Sequence, residues 1–364
     1  FPHHALDTYL PKLVKAGLRV AICDQLEDPK LTKKIVKRGI TEIVTPGVAY
    51  NDKVLEHKEN NFLAGIHSGP RITGISFLDI STGEFYLAQG SKEYIDNLLQ
   101  SFHPNEVVVQ KNKLREFIET FGDKFYTSTF EDWVFTPDFA NNILQNHFQT
   151  TSLKGFGVED LEFGIIAAGA AMHYLAETQH DKISHISKLS RIEEDHYVWL
   201  DQFTIRNLEL LDSQNANAVT LLDVLDSTLS PMGSRMLRKW LMLPLKDKVL
   251  IEERLEIVDL FMHQSEFSET ISSQIKLIGD LERLISKVAV SRVSPREVVQ
   301  IQKSLYAVES IKLACEQFAD SCLSKISEQI NPCISIRTTI EQTLNPEAPA
   351  HVNKGGIIKE GVNS

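Results

Sequence analysis

The segment from residue 230 to residue 241 constrains the local fold of this chain more than any other. Ser230 is a preferred N-cap residue, and Pro231 suits the first position of a helix, where its missing N–H is no loss. Apolar side chains then recur with helical spacing at Met232, Met236 and Trp240. The pattern predicts a short amphipathic helix that begins at Pro231.

Basic side chains occupy a second face of this predicted helix, at Arg235, Arg238 and Lys239. A basic helix face is usually a solvated surface, and contact with nucleic acid is the alternative. The pattern by itself favours the solvated surface.

Charged and glycine-containing motifs precede and follow this helix in a characteristic order. Arg206-Asn207-Leu208-Glu209 comes before it, and Gly279-Asp280-Leu281-Glu282-Arg283 comes after it. In this order and spacing, the motifs closely resemble the core domain of the MutS family of DNA mismatch-recognition ATPases. The resemblance implies structural roles for Arg206, Asn207, Glu209, Pro231, Gly233, Ser234, Arg235, Gly279, Asp280, Glu282 and Arg283.

Both ends of the chain resemble other parts of the same family. Phe1-Pro2-His3-His4-Ala5 and Thr45-Pro46-Gly47 look like the last part of the mismatch-binding domain, and Gly355-Gly356-Ile357-Ile358 looks like the passage from the core into the clamp. The chain has no initiator Met and stops in an apolar, glycine-spaced segment, so we expect an internal piece of a longer protein. The family's Phe-x-Glu mismatch wedge would precede residue 1. Its clamp, ATPase domain and dimerisation region would follow residue 364.

The strand and helix patterns predict a multidomain protein with α/β and all-α parts. Residues 1–58 hold a helix and a strand, and the resemblance assigns them to the tail of a small α/β mismatch-binding domain. Residues 59–150 alternate strand-like and helical segments, which predicts a mixed sheet flanked by helices. For this region the resemblance implies a connector domain with a ribonuclease-H-like fold. Residues 151–364 are predicted to be helical and resemble the first part of the long-helix core, or lever, domain.

Local sequence signals support the prediction that residues 151–364 are helical. Asp247 is placed to cap a helix that runs to about His263, and Ser294-Pro295-Arg296-Glu297 has the pattern of a capping box with proline at the first position. Residues 165–171 are apolar and rich in alanine, so their small side chains permit close packing. These patterns indicate architecture rather than chemistry.

A cationic cluster in the first region is the candidate DNA contact, formed by Lys33, Lys34, Lys37 and Arg38. Such side chains contact phosphates in many complexes, although a solvated face has the same pattern. Because the family's first domain lies against DNA, the resemblance raises the case for phosphate contact. Glu42 follows directly, and we expect it to repel a phosphate at that point.

Asp79 lies in Asp79-Ile80-Ser81-Thr82-Gly83, a pattern in which ribonuclease-H-like nucleases place a metal-binding carboxylate. Two-metal chemistry needs several convergent acids, and Glu84 is the only clear neighbour in sequence. We therefore expect Asp79 to organise the turn by accepting hydrogen bonds from backbone N–H groups.

The sequence offers no other catalytic, metal or cofactor motif. The dipeptide Gly-Lys does not occur, which excludes a phosphate-binding loop of the G-x-x-x-x-G-K-[ST] type. His180 and His185 are five residues apart and are expected on different faces of a helix. We predict no catalytic residue, no metal site and no cofactor in this chain, and the resemblance places ATP and Mg in a separate ATPase domain.

The composition limits what the chain binds and where it acts. A formal net charge of -11 predicts weak binding to DNA, because affinity for DNA comes largely from lysine and arginine. Four cysteines without C-x-x-C pairing favour a reducing compartment, and no apolar run has the ~20 residues of a membrane span. The composition thus favours a reducing compartment without membrane contact, and the resemblance implies a bacterial cytoplasmic, nucleoid-associated protein.

The sequence therefore predicts a non-enzymatic, structural part of a mismatch-recognition protein. For the intact protein, the resemblance implies mismatched double-stranded DNA as a ligand, a MutL-type partner that docks on the connector, and a homodimer; the piece itself is expected to be monomeric. Two alternatives stay open. One is a ribonuclease-H-like nuclease centred on Asp79, and the other is a MutS-type paralogue that acts on recombination intermediates.

Overall fold

The structure is a computed structural model. It describes residues 2, 5–27, 35–180, 182–211, 213, 215, 218–318, 321–350, 352 and 355–362. The chain forms two compact units, Phe1–Glu193 and Glu194–Ser364. We call them the α/β unit and the helical unit.

The α/β unit contains two sheets. Its strands are β1 (Val20–Gln25), β2 (Arg38–Val44), β3 (Leu63–Ser68), β4 (Thr73–Asp79), β5 (Glu84–Gly90), β6 (Glu106–Gln110), β7 (Thr127–Phe130) and β8 (Ser190–Arg191). Its helices are α1 (Leu6–Lys15), α2 (Lys92–Phe102), α3 (Leu114–Phe121), α4 (Pro137–Phe148) and α5 (Glu162–Glu177).

The larger sheet is mixed, as the sequence predicted. Its strand order is β7-β6-β3-β4-β5-β8. The strands β3, β4 and β5 pair antiparallel, whereas β6, β7 and β8 each pair parallel to a neighbour. The smaller sheet is the antiparallel pair of β1 and β2, which packs with α1 around Leu10, Val14 and Val44.

Helix α5 lies directly against the backbone of the larger sheet. A Cβ atom on Gly65 would lie 2.2 Å from the carbonyl oxygen of Ala167, and one on Gly74 would lie 2.1 Å from the backbone of Phe163. Two strand glycines and the small side chains of α5 together allow this approach. On the other side of β4, Phe77 stacks on Phe102 of α2 with ring centroids 4.3 Å apart. The sheet is therefore covered on both faces.

The position of α5 differs from the predicted division of the chain. The predicted boundary at residue 150 separated this helix from the sheet on which it packs, whereas the first compact unit extends to Glu193. The sequence indicated close packing in residues 165–171 but not the neighbour that approaches. A helix that is apolar on every side is buried equally well by helices or by a sheet. His180 and His185, which follow α5, do not lie on a helix, contrary to the sequence-based expectation.

The regular secondary structure in the described part of the helical unit is helical, apart from isolated β-bridges. The helices are α6 (Gln202–Asn207), α7 (Leu221–Leu225), α8 (Pro231–Met242), α9 (Lys248–His263), α10 (Ser265–Ile275), α11 (Leu281–Ala289), α12 (Pro295–Gln317), α13 (Ser321–Gln329) and α14 (Ile334–Thr343). The predicted caps are confirmed: Ser230 and Asp247 accept backbone N–H groups at the starts of α8 and α9, and Ser294 and Glu297 form a capping box.

Helix α12 is the longest helix in the described residues and organises two small hydrophobic clusters. Cys315 packs with Phe267, and Ile301 packs with Leu284. With 23 residues the helix is about 35 Å long at 1.5 Å per residue. Among the described residues, no helix combines the length and the apolar character that crossing a bilayer requires.

We predict that Gly65→Ala destabilises the α/β unit by roughly 1–3 kcal/mol, because the added methyl group forces α5 away from the sheet. Gly155→Ala is the matched control, since a Cβ atom there meets nothing within 4 Å. Urea denaturation followed by circular dichroism measures both variants. Equal stability of the two would contradict direct packing of α5 on the sheet.

Candidate functional site

Arg235 lies at the centre of a buried ionic network in the helical unit. This α8 residue is 3% exposed. Its guanidinium donates to both carboxylate oxygens of Asp280, at 2.8 and 2.7 Å, and to Glu282 at 2.5 Å. A bidentate pair of this kind fixes orientation as well as distance. The network therefore holds α8 to the start of α11.

Asp280 also begins α11. Its carboxylate accepts the backbone N–H of Arg283 at 3.3 Å, and the Arg283 side chain, itself buried, lies 3.9 Å from it. The backbone N–H of Gly279 donates to Ser304 of α12 at 3.0 Å. The Gly279–Arg283 motif thus joins three helices at one point.

The charges in this network stabilise one another. Burial by itself would raise the pKa of Asp280, but hydrogen bonds and positive charge from Arg235 outweigh burial and hold that pKa below its ordinary value. Burial opposes the charge on Arg235 in the same way, and Asp280 and Glu282 raise the pKa of the guanidinium above its ordinary value. Both groups therefore stay ionised at neutral pH.

The burial of Arg235 corrects the prediction of a solvated basic face on α8. Arg238 and Lys239 are half-buried, and Met236 and Trp240 of the expected apolar stripe are 53% and 42% exposed. The sequence analysis placed Arg235 on a solvated face because arginine is rarely buried unless it is paired, and the local sequence shows no partner for it. Its partners lie 45 and 47 residues further along the chain.

The signature residues at the start of α8 fix its first turn. The hydroxyl of Ser230 accepts the backbone N–H of Gly233 at 3.1 Å, and Ser234 donates to Asp226 at 2.8 Å. Pro231 occupies the first helical position. The conformation that the sequence predicted is confirmed at this terminus.

The remaining signature residues, Arg206, Asn207 and Glu209, shape the turn after α6. Glu209 has a left-handed backbone, with φ at 47°, and its carboxylate accepts from Ser213 at 2.6 Å. Its carbonyl oxygen accepts the backbone N–H of Leu221 at 2.9 Å, which positions α7. Arg206 and Asn207 are exposed.

The candidate phosphate-binding cluster is only partly within the described residues. Lys33 and Lys34 lie outside them. Lys37 and Arg38 are exposed at the start of β2, and the backbone N–H of Lys37 donates to Glu27 at 2.6 Å. Glu42, which we expected to repel a phosphate, is 3% exposed and is not presented to solvent.

Asp79 is fully buried and accepts four hydrogen bonds. One oxygen accepts the backbone N–H and the hydroxyl of Ser81, at 2.8 and 2.7 Å. The other accepts the backbone N–H of Asn61 at 3.0 Å and the side-chain amide of Asn60 at 2.8 Å. This is the turn-organising role that the sequence analysis favoured. Within the described ranges, no three His, Cys, Asp or Glu side chains are grouped to hold a metal ion.

Glu106 is a buried carboxylate that the sequence analysis missed. It accepts hydrogen bonds from Thr45 at 2.5 Å, from the backbone of Gly47 at 3.1 Å, from Ser128 at 2.7 Å and from the hydroxyl of Tyr174. Burial and the negative charge of Glu106 raise the pKa of Tyr174 well above its ordinary value, so this phenol stays a donor. The Thr45-Pro46-Gly47 motif was the available signal, because its hydroxyl and backbone N–H need a buried acceptor.

We predict that Arg235→Met destabilises the helical unit by roughly 1–3 kcal/mol, because the half-buried carboxylate of Asp280 loses its bidentate hydrogen-bond donor and keeps only Arg283, at 3.9 Å. Arg296→Met is the control, since Arg296 is exposed in the same unit. Urea denaturation followed by the fluorescence of Trp199 and Trp240 measures the difference. If the double variant with Asp280→Asn is no more stable than Arg235→Met alone, the two side chains are not coupled as described.

We predict that Asp79→Ala costs roughly 1–3 kcal/mol of folding free energy, because buried donors lose their acceptor. The exposed Asp138 provides the control substitution Asp138→Ala. Thermal denaturation and a manganese-dependent nuclease assay are run on the same samples. Nuclease activity that disappears with unchanged stability would make Asp79 a catalytic residue instead.

Comparison with known proteins identifies the family in which these networks occur. Family models described as MutS domain I, MutS domain II and MutS domain III match residues 1–53, 60–187 and 203–360. Proteins named "DNA mismatch repair protein MutS" from Parabacteroides distasonis, Bacteroides thetaiotaomicron and Flavobacterium psychrophilum are 59%, 58% and 56% identical to the chain.

Each of these matches covers 100% of this chain and 42% of the relative. The chain therefore spans less than half the length of these relatives. The signature residues around Arg235 fall in the part matched by domain III, and Asp79 and Glu106 fall in the part matched by domain II. Because the three domain models follow one another in order and the relatives match along the whole chain, the chain belongs to the MutS family.

Proposed function

We propose that this chain is a non-catalytic part of a DNA mismatch-recognition protein that starts mismatch repair. The observation that carries the proposal is the 56–59% identity over the whole chain to proteins named for mismatch repair. The buried networks around Arg235 and Glu106 support a structural role, because they fix orientation and present no reactive group.

The proposed parts follow the predicted domains with one refinement. Residues 1–58 are the tail of the mismatch-binding domain, and residues 59–193 are the connector, with α5 included because it packs on the connector sheet. Residues 194–364 are the first part of the core, or lever, domain. The antiparallel strands β3 to β5, extended by parallel β6 and β7 with helices on both faces, support a ribonuclease-H-like connector.

The same proposal covers the longer protein of which this chain is a part. That protein binds mismatched double-stranded DNA as a homodimer, and ATP and Mg bind in an ATPase domain outside this chain. Phosphate contacts come from Lys33, Lys34, Lys37 and Arg38. The protein acts in the bacterial cytoplasm, at the nucleoid.

The connector offers a specific docking surface for a MutL-type partner, centred on Trp133. This side chain is 55% exposed and is held edge-on by Phe139 and His173, with ring centroids 5.0 and 5.2 Å away. Glu131 and Asp132 directly precede it in the sequence. Glu131 is paired with Lys111 at 2.6 Å, and Asp132 accepts from the side-chain amides of Gln110 and Asn112. Tryptophan is enriched at protein interfaces because it combines a large apolar area with few rotatable bonds. A rigid, exposed tryptophan next to acids that are already paired within the connector suits a partner surface with an apolar pocket.

Trp133 also makes the docking proposal measurable. The chain has three tryptophans, and Trp199 and Trp240 lie in the helical unit, so they are internal controls. On titration with the N-terminal domain of the cognate MutL-type protein, we expect the indole N–H resonance of Trp133 to shift while the other two stay in place. We expect Trp133→Ala to weaken binding roughly tenfold or more, as for a hot-spot residue.

Ile118→Ala is the matched control, because Ile118 is an exposed apolar residue of the same unit. Shifts elsewhere in the connector without a shift at Trp133 would place the docking surface somewhere else. A spectrum without connector shifts at near-millimolar partner would make the connector a passive spacer.

A further inference from the structure

An open groove lies on the helical unit, between α8, α9 and α13. It has a volume of about 690 Å³, and its lining includes four apolar side chains that are exposed to solvent: Trp240, Leu250, Val258 and Ile326. No part of the chain that the structure describes fills this groove. Apolar side chains that share one concave surface are typical of a place where another segment packs.

One charged group in the wall of the groove has no carboxylate partner among the described residues. Arg254 of α9 stacks on Trp240 of α8, with the guanidinium carbon 3.6 Å from the ring centroid. Burial lowers the pKa of Arg254 below its ordinary value, and no carboxylate of the described chain offsets this effect. Positions three and four residues apart share a helix face, so an acid at such a position would be a partner on α9 itself. The side chains at these positions are all apolar: Leu250, Ile251, Ile257 and Val258.

Three other cations of the helical unit differ from Arg254 in this respect. Arg235 and Arg337, which are buried, each pair with a carboxylate. Lys325, which lines the same groove from α13, pairs with Glu253 at 2.5 Å. Arginine is rarely removed from water without such a partner. Stacking on the indole uses the flat face of the Arg254 guanidinium and leaves its N–H edge available for a carboxylate.

The groove therefore requires an occupant that has both apolar side chains and a carboxylate. A free anion would pair with Arg254 but would leave the apolar lining uncovered. An amphipathic helix supplies both, because apolar side chains and an acid three or four positions apart lie on one face. The chain spans 42% of the length of the relatives from Parabacteroides distasonis and Bacteroides thetaiotaomicron, so a protein of that length has ample further chain to provide such a helix.

We propose that a helix of the longer protein, outside residues 1–364, packs in this groove with apolar side chains beside Trp240 and pairs one carboxylate with Arg254. That the occupant belongs to the same polypeptide rests on the proposed function, which makes this chain part of a longer protein. Helix α8 carries both Trp240 and Arg235, so the docked helix is joined through α8 to the ionic network at Asp280. The groove thus links the helical unit to the remainder of the protein.

Carbodiimide cross-linking of the longer protein tests the carboxylate contact. Arg254→Lys places a primary amine in the groove, and a carbodiimide joins an amine to a carboxylate in contact with it as an amide. We expect mass spectrometry to find position 254 joined to an Asp or Glu outside residues 1–364. The unsubstituted protein, which has no amine at this position, is the matched control.

The pair of Lys325 and Glu253 is the positive control, since it lies at the same groove and both members are within this chain. A link from position 254 only to acids inside residues 1–364 would overturn the proposal. The absence of any link from position 254, while Lys325 and Glu253 are joined, would overturn it as well.

The exposure of Trp240 provides a second measurement that does not depend on a cross-link. This chain and the longer protein are labelled with 5-fluorotryptophan, and Trp240→Phe assigns the resonance of Trp240. An exposed fluorine changes its chemical shift between light and heavy water. We expect this change at Trp240 in the chain alone and its loss in the longer protein, whereas Trp133, exposed on the connector, keeps it in both.

A fluorine at Trp240 that responds equally to heavy water in both proteins would show that the groove stays open, and the proposal would be wrong. Neither measurement involves DNA or a MutL-type partner. Failure of the groove proposal is therefore distinguishable from failure of the proposed function, which is measured by binding to mismatched DNA.

Discussion

The buried carboxylate of Glu106 fixes how the segments of the α/β unit meet. Its hydrogen-bond donors come from the turn at Thr45 and Gly47, from β7 through Ser128, and from α5 through Tyr174. An unpaired carboxylate in an apolar interior costs several kcal/mol. Movement of the turn at Thr45 and Gly47 would remove both donors of one oxygen, and movement of β7 or α5 would remove one of the two donors of the other. The four donors therefore constrain residues 1–58, the sheet and α5 together.

The helical unit uses a buried cation in the same way. Arg235 and Arg283 face Asp280 and Glu282, so two positive charges meet two negative charges. Asp280 also lies at the N-terminus of α11, where the exposed N–H groups and the helix dipole favour a negative charge. The balanced charges reduce the energetic cost of burying the arginines. The bidentate hydrogen bonds between Arg235 and Asp280 fix the relative orientation of the two side chains. The network therefore sets the angle at which α8 meets α11 and α12.

The sequence predicted interactions between residues that are close together in the chain and missed those between residues that are far apart in it. The caps at Ser230, Asp247 and Ser294 were predictable because donor and acceptor are within three residues. The turn at Asp79 was predictable for the same reason. The burial of Arg235 and Glu106 was not, because their partners are tens of residues away and neither position breaks the local pattern. The packing of helix α5 was predictable only in part. Its small side chains indicated close packing, but the sequence did not show that glycines of β3 and β4 are the residues it packs against.

Three acids of this chain that lie away from the surface are occupied by protein donors, and this occupation limits the chemistry that they can perform. Asp79, Glu106 and Asp280 each use both carboxylate oxygens in hydrogen bonds within the fold. A carboxylate in this state cannot take up a metal ion or abstract a proton without breaking a structural bond. The same bonds make the links between segments stiff, so that a displacement at Thr45 must be accommodated at Glu106 and then at α5. Relaying a displacement between distant sites requires elements with a few discrete arrangements rather than continuous deformation. The networks around Glu106 and Arg235 restrict the segments that they join to the arrangement in which the carboxylate oxygens are paired.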